Sequence, residues 1–258
     1  MSEQPPTESP AAGSRIVFGV HPVEELLRAR PRDVAVVYVA DGTRSPDIDR
    51  VVRLARDRGV AIEHRPRQMV AELAKAPAYQ GLVAITGSYR YAGMEDIFHA
   101  ATSVGEQPLL LLLDGITDPH NFGALVRSAE VLGAHGVVIS DRHAAPVTGT
   151  VVKASAGATE RMRITLVSNL LKTIDALRDR GLRVLGAASD AAAPPIDALD
   201  LREAVALVIG AEGQGMREAV ARRCDGVFHI PQRGAVASLN ASVAGAIALY
   251  EAARQRRK

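Results

Sequence analysis

The feature that most constrains the fold is a regular alternation of short apolar segments and longer amphipathic segments, which runs from residue 34 to the last helix. The apolar segments have the length and composition of buried strands. The amphipathic segments have helical spacing, and two of them end at Gly59 and Gly181, because glycine readily takes the backbone conformation that ends a helix. The alternation predicts an α/β protein with a mainly parallel sheet that helices cover on both faces.

The character of the chain changes at Pro108, where an almost wholly apolar strand of residues 109–114 begins. Such a strand is typical of the centre of a parallel sheet. We therefore predict a compact α/β sandwich over residues 15–90, a linker over 91–107 and a larger parallel-sheet domain over 108–258. Residues 1–14 are rich in Pro, Ser and Glu, and we expect them to form a disordered tail.

Composition excludes several classes of protein. The single cysteine, Cys224, excludes a disulfide framework and a cysteine metal cluster, and the seven histidines lack the spacing of metal ligands, so we expect no metal. There is no apolar signal core or membrane-spanning run, which predicts a cytoplasmic protein.

The net charge of +2 does not indicate a partner, but residues 15–91 carry thirteen Arg and Lys against nine Asp and Glu. Such clusters contact phosphates or form a solvated surface, and both interpretations stay open.

Small polar residues follow three of the predicted strands. In the first junction, DGITDPHNFGALVR, Asn121 lies near a helix start and Arg127 follows six residues later on a different side of the helix. Taken alone, Asn121 is explained equally well as a helix cap and Arg127 as a surface charge. The apolar neighbours of Arg127 favour a cleft or an interface.

The second junction is VIGAEGQGM, residues 208–216, whose glycines let a ligand approach the backbone. Its spacing matches neither the dinucleotide fingerprint nor a phosphate-binding Walker loop. Glu212 is a candidate partner for Arg127 or for a ligand, or else a solvated acid in a tight turn.

The third junction is HIPQRGAVASLN, in which Ser238, Leu239 and Asn240 open the last helix, where capping residues belong. A cap does not explain why three strand ends carry such residues together. Strand ends of this kind form the ligand sites of open α/β sheets.

The three junctions together resemble the three motifs of the SpoU (TrmH-type) RNA ribose 2′-O-methyltransferases. The segments GVHPVEELL and YQGLVA resemble the L30e-like substrate-binding domain of that family, and the arrangement is most similar to its 23S rRNA guanosine 2′-O-methyltransferases. The resemblance implies S-adenosylmethionine as cofactor, RNA as substrate, a homodimer with sites at its interface, and a C-terminal trefoil knot, which is rare among folds.

The resemblance also assigns site residues. It implies that the cofactor contacts Gly210, Ile230 and Leu239, and that the catalytic cluster consists of Asn121, Arg127, Glu212, Ser238 and Asn240. A guanidinium stays protonated in proteins, so our hypothesis is that Arg127 binds the target phosphate and stabilises the developing alkoxide while Glu212 orients it. The chain departs from the family pattern at Gln232-Arg233 and at Tyr79, which leaves the RNA target less defined.

Three alternatives remain at this point. One is a tRNA 2′-O-methyltransferase, and another is a catalytically silent RNA-binding factor of ribosome assembly on the same fold. The third, a nucleotide-dependent oxidoreductase, is disfavoured by the missing fingerprint.

Overall fold

A computed structural model describes residues 14–77, 79–142, 144–190, 192–234 and 238–257. The chain divides into two compact units, residues 1–90 and 91–258. The tail that we expect over residues 1–14 lies outside the described residues, apart from Ser14.

In its described residues, the first unit contains four strands and three α-helices. They are β1 (Arg15–Phe18), α1 (Val20–Ala29), β2 (Val34–Ala40), α2 (Pro46–Asp57), β3 (Ala61–Arg65), α3 (Arg67–Ala74) and β4 (Leu82–Thr86). The sheet order is β1-β4-β2-β3; β4 is antiparallel to both of its neighbours, and β2 is parallel to β3. The sequence pattern did not predict β1, which has only four residues and obtains its place by pairing with β4.

The position at which the chain departs from the family pattern in this unit is part of the core. Tyr79 is buried against residues that include Phe18, Val70 and Val83. Its hydroxyl donates a hydrogen bond to the carbonyl oxygen of Arg67 at 3.4 Å. Tyr79 therefore packs inside the first unit instead of presenting its ring to solvent.

The described part of the second unit contains six strands and six α-helices. They are α4 (Met94–Ser103), β5 (Leu109–Asp114), α5 (Pro119–Val131), β6 (Gly136–Ser140), α6 (Gly149–Ala154), β7 (Ile164–Val167), α7 (Leu170–Asp179), β8 (Arg183–Ala187), β9 (Val205–Gly210), α8 (Glu218–Ala221), β10 (Gly226–Phe228) and α9 (Ala241–Arg256). The strand order is β10-β8-β9-β5-β6-β7, and every pair is parallel. The predicted parallel sheet is confirmed.

Residues 91–107 differ from the linker that we expected, because α4 belongs to the second unit. Ile97 is fully buried in a core cluster with Leu110, Leu112 and Val138. A Cβ at Gly136 would lie 2.2 Å from the Cδ1 atom of Ile97, so the sheet carries a glycine where this helix presses against it. The short helix α4 is therefore part of the packed structure of the second unit, although the apolar periodicity of its own sequence is weak.

The order of the strands places the ends of two junctions side by side. The chain moves from β5 outward through β6 and β7, and then builds β8, β9 and β10 on the other side of β5. This reversal makes a switch point between β5 and β9, where ligands bind in open α/β sheets. Asp114 and Gly210, the last residues of the two strands, are partners in the ladder.

Within the described residues, no helix combines the length and apolar character needed to cross a membrane.

Candidate functional site

The start of α5 frees Asn121 from a capping role. Asp118 is the N-cap, and its carboxylate accepts hydrogen bonds from the backbone N–H groups of His120 at 3.3 Å and Asn121 at 2.9 Å. Pro119 follows at the first helical position, where its missing N–H costs nothing. The side chain of Asn121 is therefore available for contacts outside the helix, and the interpretation of Asn121 as a plain cap is wrong.

A tight turn follows β9 and presents Glu212. The backbone N–H of Gly215 donates to the carbonyl oxygen of Ala211 at 2.8 Å, and Gly213 and Gly215 have φ angles of 76° and 69°. These left-handed conformations favour glycine. At Gly210 the reason for glycine is space, since a Cβ there would lie 2.1 Å from the backbone nitrogen of Met216.

An ion pair with a fully buried carboxylate fixes the end of this turn to β5. The backbone N–H of Arg217 donates to Oδ2 of Asp114 at 2.8 Å, and its Nε donates to Oδ1 at 2.7 Å. The Asp114 side chain is fully buried, whereas that of Arg217 is 51% exposed. The second junction is thus held to the first by a charge-assisted, two-point contact.

The start of α9 uses one side chain for two purposes. The helix begins at Ala241, later than the Ser238 start that we expected, and Asn240 is its N-cap. Oδ1 of Asn240 accepts hydrogen bonds from the backbone N–H and the hydroxyl of Ser242 at 2.9 and 2.6 Å. Because the oxygen alone makes the cap, the amide nitrogen is free to donate elsewhere.

Three side chains from the three junctions meet in one cluster. Nδ2 of Asn121 donates to Oε2 of Glu212 at 3.1 Å, and Nδ2 of Asn240 donates to the same oxygen at 3.0 Å. Nδ2 of Asn240 also donates to Oδ1 of Asn121 at 2.9 Å. Three residues of the predicted catalytic set, far apart in sequence, therefore share a hydrogen-bond network at the switch point.

Arg127 lies apart from this network. It is exposed on α5, and no hydrogen bond or ion pair of its side chain occurs among the described residues. The contact between Arg127 and Glu212 that we hypothesised is absent within the described chain, where the Glu212 carboxylate binds the amides of Asn121 and Asn240 instead.

Arg127 lies on the helix that forms one wall of an open, largely apolar face between α5 and α9. The face is lined by Ala124, Ser128, Leu132, Ser242, Val243, Ala246, Ile247 and Tyr250. Val243 is 44% exposed and Tyr250 48% exposed, and on α5 the nearby Val131 is 69% exposed.

A pocket lies beside the network at the carboxyl ends of β8 and β9. Its wall contains all three residues predicted to contact the cofactor, Gly210, Ile230 and Leu239, together with Glu212 and Ser238. Most of the remaining wall consists of small residues, so backbone groups are accessible to a ligand. Ser238 is exposed at this wall.

Two groups of pocket residues were not predicted from the sequence. Ala187 is the last residue of β8, Ala188 and Ser189 follow it, and Gln232 lies in the loop after β10. The sequence signal for residues 187–189 was the apolar strand RVLGAAS, which ends in small residues as the three junctions do. This signal becomes informative only once β8 is known to neighbour β9. Among the residues that the structure describes, no group of three His, Cys, Asp or Glu side chains is placed to hold a metal ion.

Comparison with family models assigns both units of the chain. Residues 108–250 match the model described as the SpoU rRNA Methylase family. Residues 16–92 match the model described as RNA 2′-O ribose methyltransferase substrate binding.

Individual proteins are similar over nearly the whole chain. The 23S rRNA (guanosine-2′-O-)-methyltransferase RlmB of Photobacterium profundum is 37% identical over 241 residues, which are 93% of this chain and 98% of that protein. An uncharacterized tRNA/rRNA methyltransferase of Mycobacterium sp. is 39% identical over 245 residues, 95% of this chain and 77% of that protein.

A solved structure agrees with these matches. The crystal structure of the SpoU methyltransferase AviRb from Streptomyces viridochromogenes, in complex with the cofactor AdoMet, superposes with a TM-score of 0.78 at 27% identity. The superposition covers 95% of this chain and 91% of that one.

Proposed function

Because the chain belongs to the SpoU rRNA methylase family and is an S-adenosylmethionine-dependent RNA 2′-O-methyltransferase, we propose that its target is a guanosine ribose of 23S rRNA. Support comes from the RlmB relative, which has that activity by name and matches over 98% of its length. The tRNA alternative keeps a specific basis, since another relative is described as a tRNA/rRNA methyltransferase.

The observation that carries the proposed catalytic site is the network of Asn121, Glu212 and Asn240 beside the pocket. The pocket suits S-adenosylmethionine in its chemistry, because Ile209, Ile230 and Leu239 offer apolar contacts while Glu212 places a carboxylate near a cationic ligand. Gly210 lets the backbone of the turn that carries Glu212 pack closely against the end of β9, at the edge of the pocket. In this proposal Gly210, Ile230 and Leu239 hold the cofactor, which supplies a methyl group on a positively charged sulfur.

The residues of the network have distinct roles in the proposed reaction. Two amide donors fix one oxygen of Glu212, so the orientation of its carboxylate is set before substrate arrives. A preset carboxylate can position a ribose hydroxyl or a cationic partner without reorganisation. Ser238 offers a hydroxyl at the pocket wall for the reacting nucleotide.

Arg127 requires a second copy of the chain in this proposal. Its guanidinium is exposed on α5, the helix that also contributes Ala124 and Ser128 to the apolar face. We propose that the α5–α9 face is the interface of a homodimer and that Arg127 reaches the network of the partner subunit. There it would bind the target phosphate and stabilise the alkoxide, as its permanent charge allows.

Four further assignments complete the proposal. The described residues 15–90 form the L30e-like RNA-binding domain, and the parallel-sheet unit carries the catalytic site. The parallel-sheet unit ends in a trefoil knot, as the family resemblance implies. Ile230 and Leu239, which come after β10 and before α9, both line the pocket beside the β9 turn and support this assignment. With rRNA as substrate, the enzyme acts in the cytoplasm.

A methyl-transfer assay with defined RNA tests the proposal. Purified protein and radiolabelled S-adenosylmethionine are incubated with unmodified 23S rRNA and tRNA transcripts, and the methylated nucleotide is mapped. We expect 2′-O-methylguanosine in the 23S transcript, and no transfer after 2′-deoxy substitution of that one nucleotide. Methylation of the tRNA transcript alone would contradict the 23S rRNA target and favour the tRNA alternative. Methyl transfer to the 2′-deoxy nucleotide would mean that a base is methylated.

A further inference from the structure

We propose that a basic groove in the first unit binds the phosphate backbone of RNA, and this inference rests on the proposed function only in taking RNA as the substrate. We call it the α2 groove. It lies between the end of β2, the following loop, one flank of α2 and β3. The charged and imidazole side chains that line it are Asp41, Arg44, Asp49, Arg53, Arg56 and His64.

The sequence of α2 separates two kinds of arginine. Asp49, Arg53 and Arg56 are spaced by four and three residues and therefore share one flank of the helix. Arg50 lies on the other side, where its Nε donates to Glu24 at 2.9 Å and its Nη1 donates to Asp47 at 2.7 Å. One flank of α2 is thus neutralised within the unit, whereas the groove flank keeps its charges for an external partner.

Three arginines of the α2 groove have unused donors. Arg44, Arg53 and Arg56 are exposed, and in the described part of the chain none of them forms an ion pair or a side-chain hydrogen bond. A guanidinium presents a planar set of donors that matches the oxygens of a phosphate. At the rim, Nη2 of Arg67 donates to Oγ1 of Thr43 at 3.1 Å, which places a fourth arginine near the entrance.

The composition of the groove favours backbone contacts over recognition of bases. His64 is the single aromatic side chain among the described residues that line the groove, so stacking of bases on rings is limited to one residue. Contacts to phosphates position RNA without reading its sequence. Three arginines outnumber the two aspartates of the lining, and the excess of Arg and Lys across residues 15–91 adds a favourable long-range field.

The first test removes two of the groove charges. Binding of full-length protein to in vitro transcripts of 23S rRNA and of a tRNA is measured over a range of salt concentrations, for wild type and for the double variant Arg53→Gln/Arg56→Gln. We expect weaker binding to both transcripts, and a slope of log affinity against log salt that is smaller in magnitude by about 1.5, as expected for two lost phosphate contacts.

A matched control separates the groove from overall charge. Arg32→Gln/Arg58→Gln removes two exposed arginines of the same unit that lie outside the groove lining, so it should weaken binding much less than Arg53→Gln/Arg56→Gln does. Equal weakening by both double variants would overturn the proposal, as would wild-type binding by Arg53→Gln/Arg56→Gln.

The second test has the opposite sign and does not depend on loss of function. Asp41→Asn/Asp49→Asn removes the two groove acids, so it should tighten binding and steepen the salt dependence. Unchanged or weaker binding by a folded protein would contradict the groove. Neither experiment measures methylation, so failure of the 23S assignment, seen as no methyl transfer by wild type to that transcript, is distinguishable from failure of the groove.

Discussion

Asn240 donates a hydrogen bond from Nδ2 to Oε2 of Glu212 at 3.0 Å, while Oδ1 of the same side chain caps α9. A single asparagine therefore couples the start of the last helix to the carboxylate at the end of β9. The amide oxygen caps the helix and the amide nitrogen binds Glu212, so substitutions can separate these two roles.

Asn240→Asp should keep the protein folded and abolish methyl transfer. Aspartate is as good an N-cap as asparagine, but it cannot donate to Glu212 and it adds a like charge beside that carboxylate. Asn240→Ala should lose activity and also about 1 kcal/mol of stability, the usual worth of a cap. Thermal unfolding and a methyl-transfer assay on both variants check this. Wild-type turnover by Asn240→Asp would mean that the amide donor is dispensable.

Gly210→Ala should block cofactor binding, because the new Cβ would lie 2.1 Å from the backbone of the turn that carries Glu212. Moving that backbone should cost about 1–3 kcal/mol, as overpacking does. Calorimetric titration with S-adenosylmethionine and denaturant unfolding measure both effects. Gly87→Ala is the control, since nothing lies within 4 Å of a Cβ there. Normal cofactor affinity in Gly210→Ala would show that the turn yields easily.

The sequence pattern predicted the meeting of the three junctions because parallel strands that share a sheet end at the same edge. Asn121, Glu212 and Asn240 follow from that geometry once the junctions are recognised. What the pattern could not decide was local. Asp118 and Asn121 both lie where a cap belongs, and only the backbone hydrogen bonds distinguish them. A one-dimensional pattern also cannot tell that β8 neighbours β9.

The fold was predictable to a similar extent, with misses of one kind. β1 was missed and α4 was placed in a linker, because each element is short and derives its stability from a partner elsewhere in its unit. Tertiary contacts decide such elements, whereas long periodic segments such as α2 and α7 carry their own signal. That Arg127 has no hydrogen-bond or ion-pair partner among the described residues likewise has no signature in the sequence.

Arg217→Ala should destabilise the second unit more than Asp114→Asn does. Removing the arginine side chain leaves the fully buried carboxylate of Asp114 with little besides a backbone N–H. Removing the charge of Asp114 leaves a half-exposed arginine that water can solvate. We expect a loss of about 2–3 kcal/mol for Arg217→Ala, below the 3–5 typical of a broken buried pair because solvent reaches one side. Denaturant unfolding checks the order, and a larger loss in Asp114→Asn would reverse the argument.

Stability should fall as the pH drops below about 6.5, the ordinary pKa of histidine, because of His135. Burial lowers the pKa of His135, against the opposing effect of Glu106, and its Nδ1 accepts a hydrogen bond from the backbone N–H of Leu109 at 3.0 Å. The unfolded chain therefore binds a proton at a higher pH than the folded protein does, so acid favours unfolding.

His135→Asn tests this origin, since Oδ1 of asparagine can accept the same hydrogen bond without titrating. The midpoint of thermal unfolding, measured between pH 8 and pH 5.5, should decline more in wild type than in the variant. Parallel curves would assign the acid sensitivity to other groups.

For the homodimer that we propose, mixed dimers should reveal whether Arg127 acts in its own subunit or in its partner. Asn121→Ala and Arg127→Ala should each be inactive as homodimers. If Arg127 completes the network of the other subunit, a dimer containing one copy of each variant has one intact site, so isolated heterodimers should recover about half of the wild-type activity. Two different affinity tags allow the heterodimer to be purified.

The pair Asn121→Ala and Glu212→Gln provides the control for this experiment. Both residues belong to the same hydrogen-bonded network within one chain, so each site of that heterodimer lacks one of them and should stay inactive. Recovery in the first pair alone would place Arg127 across the interface. If neither pair recovers although the heterodimers form, Arg127 acts within its own subunit, and α5 must then move to bring the guanidinium to Glu212.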